Sequence, residues 1–282
     1  MRNHALLGPT ESPAAIENAT APGDIVIVCE HASRLIPAGL GDLGLEATAL
    51  ESHIAWDPGA LALARHLSKS LDACLYFQRF SRLVYDCNRP PDSASAMAEK
   101  SEIYDVPGNR NLTQAERQAR IDEIYLPFRN GLSDLLSSRS AAGRNSILIT
   151  IHSFTPVYFG KKRDVEIGIL HDSDSRLADA LLEEARSREP EFIVQRNQPY
   201  SPADGVTHTL VEHAIARGLA NVMIEVRNDH LSDDRRLPEV AEYLSSLIKA
   251  AIGMLPAPRE SQPAQSHPAK SRSDRTGSVR PT

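Results

Sequence analysis

The sequence predicts an α/β fold, a three-layer sandwich with a mostly parallel, mixed central sheet. Two observations carry this. Short β-branched apolar runs alternate with amphipathic helical stretches, as at Asp24–Cys29 followed by Leu61, Ala64, Leu67 and Leu71 at helical spacing. Several of these runs are apolar throughout rather than alternating, which suits strands buried on both faces.

The elements follow in order. Asp24-Ile-Val-Ile-Val-Cys29 is the first strand. Pro58 opens a helix at its first position, with Asp57 available as its cap. Ala73–Phe77 and Leu83–Tyr85 are strands. Thr113 followed by Glu116 is a capping box, and a long helix runs from there to about Ser138, with a break near Pro127. Ser146–Ile151, Val165–Leu170, Phe192–Gln195 and Val222–Val226 are strands. Helices start at Asp174, at His208 (to Arg217) and at Leu237 (to Ile252).

Composition bounds the function. The 282 residues carry a net charge of −6 and are 41% apolar but only 5% aromatic, so aliphatic side chains must fill the core. The mild acidity disfavours nucleic acid or an anionic membrane as partner. No apolar run is long enough to span a membrane, and Met1–Gly23 contains no export signal, so the cytoplasm is the expected compartment. Three cysteines make no disulfide framework and are expected as buried thiols. Residues 256–282 are rich in Pro and Ser, with five basic and two acidic side chains, and are expected to be disordered. Residues 1–22 are expected as a flexible arm, leaving 23–255 as one catalytic domain.

Ligands of open α/β sheets bind beyond the carboxyl ends of the strands. Three apolar strands here end in ionisable residues: Glu30-His31, His152-Ser153 and Glu225-Val226-Arg227. A fourth stretch, Arg79–Pro90, is dense in polar groups. Charges at buried strand ends are costly unless paired or metal-bound. Two imidazoles and a carboxylate form a familiar catalytic zinc set. His31 and His152 supply the imidazoles; the carboxylate is Glu30 or Asp57. Neighbouring residues of an extended chain point opposite ways, which disfavours Glu30 beside His31. Asp57 has the competing role of helix cap. Glu225 is left free to serve as a general base. His208, after Gly205-Val206-Thr207, is a candidate substrate contact. His53, His66, His171, His213 and His230 are expected in structural or solvent roles. A G-x-S-x-G elbow, a Walker A loop and a G-x-G-x-x-G are all missing.

Together these residues resemble the N-formylglutamate amidohydrolase family over roughly Asp24–Leu231. The resemblance rests on Cys29–Arg34 with Pro37, Trp56-Asp57, Ser81–Pro90, His152-Ser153-Phe154, Asn197–Tyr200, Gly205–Thr209 and Ile224–Arg227. It implies a fold like that of zinc carboxypeptidases, aspartoacylases and phosphorylase/hydrolase-like proteins. It also implies Zn²⁺ or another divalent ion on His31, Asp57 and His152, the carboxylate moving to Asp57 because Arg34 stands where carboxypeptidases have a glutamate. Glu225 would be the catalytic carboxylate. Asn88 and Arg89 would hold a substrate carboxylate, and Arg82 a second one or the scissile carbonyl. Arg227, Asn197, Tyr200 and His208 would shape the pocket. The implied reaction is hydrolysis of an N-acyl amino acid, with N-formyl-L-glutamate giving formate and glutamate, as in one route of histidine degradation. A related deacylase or carboxypeptidase-like hydrolase, or a silent binder of acidic metabolites, are the alternatives.

Overall fold

The structure, a computed structural model, describes residues 5–8, 10–233 and 235–256. Seven strands form the central sheet: β1 (Ala14–Glu17), β2 (Ile25–Cys29), β3 (Cys74–Gln78), β4 (Ile147–Phe154), β5 (Ile167–Leu170), β6 (Val194–Arg196) and β7 (Asn221–Arg227). Their spatial order is β1-β3-β2-β4-β7-β5-β6. The central four, β3, β2, β4 and β7, run parallel. β1 pairs antiparallel with β3, and β5 antiparallel with β7. The sheet is mixed but mostly parallel, in an α/β fold consistent with a three-layer sandwich.

Alternation along each strand sends its side chains to opposite faces. Ile25, Ile27, Ile149, Ile151, Ile224 and Val226 meet helices α1 (Ala60–Ser70), α4 (Arg176–Ser187) and α5 (Arg236–Gly253). Val26, Val28, Tyr76, Leu148 and Met223 meet the opposite layer, built by Ile124, Phe128, Leu132, Leu136 and Leu210. That layer contains α2 (Gln114–Arg120) and α3 (Leu126–Ala141). The Thr113–Glu116 capping box is formed. Between α2 and α3 the chain makes a π turn, Ile121–Tyr125, in which Leu126 N–H donates to the Ile121 carbonyl. Pro127 has no N–H to give the ladder, and the wide turn carries the helix through it.

Three expectations are corrected. Leu83–Tyr85 is buried but forms a turn, not a strand. Its main chain is satisfied by side chains instead: Asn109 donates to the Leu83 carbonyl and Arg120 to that of Val84. The first 22 residues are not all a loose arm, since β1 lies within them. His208–Arg217 is a π turn followed by a 3-10 turn. The basic tail lies outside the described residues from 257 onward. All three cysteines are buried and free.

Candidate metal centre and active site

Each ionisable residue at the sheet's carboxyl edge is placed by a local cause. His31 stands two residues beyond β2, and its carbonyl accepts the Asp57 N–H at 2.9 Å. Asp57 is not the helix cap: α1 begins at Ala60 behind Gly59, which makes no side-chain cap. Gly59 has φ +81°, and a Cβ there would lie 2.3 Å from Leu231 Cβ, so the turn into α1 needs glycine. This turn frees the Asp57 carboxylate, which also accepts the Ser153 N–H at 3.3 Å. His152 lies within β4 and Glu225 within β7, paired in register.

Three donor atoms converge. Asp57 Oδ2 lies 3.2 Å from His31 Nδ1 and 2.9 Å from His152 Nδ1, and the two Nδ1 atoms are 3.2 Å apart. All three residues are buried. A tetrahedral ion with bonds of about 2.0–2.1 Å has donor atoms roughly 3.3 Å apart, so this triangle fits a small divalent ion. The far nitrogen of each ring faces its own carboxylate. His31 Nε2 is 2.7 Å from Asp86 Oδ1, and His152 Nε2 is 3.2 Å from Glu30 Oε2. Only the His31 contact has hydrogen-bond geometry; a proton on each Nε2 would leave both Nδ1 lone pairs directed at the centre, the usual arrangement behind metal-bound imidazoles. Glu30, just past the end of β2, meets the far nitrogen of the His152 ring, and Asp57 closes the triangle.

Arg82 ties the two aspartates together, donating from Nη1 to Asp57 Oδ1 at 3.3 Å and from Nη2 to Asp86 Oδ2 at 2.6 Å. Burial works against every charge in this cluster, but the partners win. Arg82 and His31 hold Asp86 well below the usual carboxylate range. The two histidines do the same for Asp57. Burial and Arg82 oppose a proton on His31, yet Asp86 and Asp57 raise its pKa. Against burial, Glu30 and Asp57 raise that of His152 well above its ordinary value. A cluster of ionised carboxylates around two imidazoles is a strong attractor for a cation. Glu225 is the exception. Burial, helped by Asp57, pushes its pKa up to about 7, with His152, His31 and Arg82 opposing. Its Oε2 is buried without a hydrogen bond among the described residues.

The remaining expected site residues are distributed differently. Asn88 spends both ends of its amide on the main chain, donating to the Val206 carbonyl and accepting the Thr209 N–H. It thereby ties the 206–209 loop to the residue before Arg89. The Arg89 guanidinium touches only Ser95 Oγ and the Asn88 carbonyl, and no carboxylate pairs with it among the described residues. His208 Nε2 lies 2.9 Å from the Tyr125 hydroxyl. Tyr200 accepts from Arg163. Two residues fall away from the centre in their bonding. The Arg227 guanidinium is held by Glu166, Asp229, His230 and two carbonyls. The Asn197 side chain accepts the His171 N–H. Sequence reasoning missed Asp86 and Arg163. Asp86 sits two residues before Asn88, inside a stretch already marked as dense in polar groups; Arg163 carried no signal beyond a run of surface charge.

Residues 23–232 match the family model described as N-formylglutamate amidohydrolase. The chain belongs to the N-formylglutamate amidohydrolase family. A solved structure of a gene product from Agrobacterium tumefaciens is 56% identical to this family member, covering 86% of this chain and 96% of that one, with a TM-score of 0.84. The N-formylglutamate amidohydrolase from Ralstonia eutropha JMP134 is 18% identical, covers 86% and 98%, and has a TM-score of 0.59, a likeness of fold. No curated protein is significantly similar. Family membership and site agree on an enzyme that hydrolyses an amide of a small molecule. Among the described residues, no helix is long and apolar enough to cross a membrane.

Proposed function

We propose that this amidohydrolase is metal-dependent and cleaves N-formyl-L-glutamate to formate and L-glutamate. The observation that carries the reading is the in-register pairing of Glu225 with His152, which sets a carboxyl group whose Oε2 has no hydrogen bond among the described residues beside the His31–Asp57–His152 triangle. These three residues would hold the ion, Zn²⁺ being the first candidate for two imidazoles and a carboxylate. When bound, a divalent ion supplies Lewis-acid polarisation of the carbonyl and lowers the pKa of water.

The chain's own groups do the rest. Glu225 takes a proton from the water as its oxygen adds to the formyl carbon. The same carboxyl then gives that proton to the leaving nitrogen as the C–N bond breaks. A group with a pKa of about 7 suits both roles at neutral pH. Arg82 keeps 27% of its side chain exposed while bound to both aspartates, and its positive charge favours the developing oxyanion. Arg89 receives the α-carboxylate on a guanidinium with no ion pair among the described residues, and Asn88 positions it.

Metal analysis of the purified protein and formate release from N-formyl-L-glutamate, with and without chelator, test the reading. About one equivalent of metal with chelator-sensitive formate release is expected. Metal without formate moves the substrate to another N-acyl amino acid. Neither metal nor formate after added Zn²⁺ makes the protein a binder of acidic metabolites.

A further inference from the structure

Arg163 follows a short hairpin, Val157–Tyr158 paired with Lys161–Lys162, at the end of β4. Its guanidinium carbon lies 4.5 Å from the centroid of the Tyr158 ring, 4.9 Å from that of Tyr200 and 5.6 Å from that of Phe154. One nitrogen, Nη1, donates to the Tyr200 hydroxyl at 3.2 Å and the Thr155 carbonyl at 3.3 Å. Nε and Nη2 make no hydrogen bond among the described residues, and no carboxylate there lies within ion-pair distance. Aromatic faces hold a cation in place without neutralising it.

The location follows from strand geometry. Phe154 is two residues beyond His152 on the same strand, so both side chains leave the same face of the sheet. Tyr200, which also meets the Arg163 guanidinium, has its phenol pKa raised by burial and, after that, by the charge of Glu225. Arg163 thus packs on the aromatic ring that neighbours His152 on the same face of the strand. Arg82, the sequence-based choice for a second substrate carboxylate, is already engaged by Asp57 and Asp86.

We propose that Arg163 is the specificity residue that receives the side-chain carboxylate of an acidic N-acyl amino acid. This rests on the amidohydrolase reading above and refines it. Arg89 and Arg163 make two unneutralised guanidinium groups for the two carboxylates of the substrate, and the planar fork of each suits bidentate contact.

The test compares N-formyl-L-glutamate with its neutral isostere N-formyl-L-glutamine in wild type, Arg163→Met and Arg163→Lys. The ratio of kcat/KM for the acid over the amide should fall at least tenfold in Arg163→Met and by less in Arg163→Lys, which keeps charge but loses the fork. An equal loss on both substrates, or no loss, overturns the proposal, since a merely structural residue would leave the ratio alone. If wild type hydrolyses neither compound, the function reading fails by itself and binding decides. Glutarate should then bind at least tenfold tighter than butyrate to wild type, and that preference should vanish in Arg163→Met; without it, the proposal falls.

Discussion

Glu225 and His152 are register partners on adjacent parallel strands, and this pairing sets a buried carboxyl group beside a His31–Asp57–His152 triangle that could hold a metal ion. Backbone hydrogen bonds of the sheet, not a loop, set their spacing. Both side chains therefore stand on central strands of the sheet.

The pairing predicts a separation of turnover from metal binding. Glu225→Gln keeps the shape of the side chain but cannot take a proton. Turnover should fall by roughly 10²-fold or more, the usual span of general-base catalysis, while metal content stays at the wild-type level. Steady-state formate release and metal analysis on the same preparation check both halves. Near-normal turnover would remove Glu225 from the mechanism.

Asp86 predicts the converse. It touches His31 Nε2 at 2.7 Å and not the centre of the triangle. Asp86→Asn should weaken metal affinity by about 10–100-fold, because the ring loses the anion that fixes its proton and orientation. Competition with a chromophoric chelator gives the number. Unchanged affinity would show that His31 is oriented by other contacts.

His213 predicts acid sensitivity. Burial lowers its pKa to about 4, and Nδ1 has no hydrogen-bond partner among the described residues. In the unfolded chain the pKa is about 6.5. Between these values the unfolded state binds the extra proton, so stability drops as pH falls from 6.5 to 4 and loses nothing further below that. The loss is at most about 3 kcal/mol. Urea midpoints at pH 4.5 and 7.5 should lie closer together in His213→Gln than in wild type. An unaltered gap would assign the acid sensitivity elsewhere.

Gly168 predicts a packing limit. It pairs with Glu225 on the antiparallel side of β7, and a Cβ there would lie 1.9 Å from the Gln198 carbonyl oxygen. Main chain cannot move aside cheaply. Gly168→Ala should cost about 2 kcal/mol or more, a fall in Tm of roughly 4–8 °C, with loss of turnover as β7 shifts. Calorimetry decides it, and an unchanged Tm would mean that the 198 loop yields.

Much of this was legible in the sequence because burial writes itself into composition. Ile25–Cys29, Ile147–Ile151 and Val222–Ile224 are apolar runs that end in ionisable residues, and that abruptness marked His31, His152 and Glu225. Asp57 was legible only as an alternative to Glu30; the Gly59 turn that frees it depends on Leu231, far along the chain. Leu83–Tyr85 looked like a strand since three apolar residues fit a buried loop equally well, once Asn109 and Arg120 arrive to bond its carbonyls. β1, Ala-Ala-Ile-Glu, is too short and too weakly apolar to announce itself. Arg163 follows two lysines and resembles solvent-facing charge until the fold brings three aromatic rings around it.

β1 and α5 lie outside the stretch that matches the family, residues 23–232. The recognisable segment is therefore smaller than the folding unit. A fragment trimmed to it would strip β3 of its antiparallel neighbour and uncover an unpaired strand edge, Cys74–Gln78, the kind of surface that templates aggregation. It would also lay bare the sheet face that Val240, Leu244, Leu247 and Ile248 cover. The boundaries that define the family leave out pieces that close one edge of the sheet and cover one of its faces.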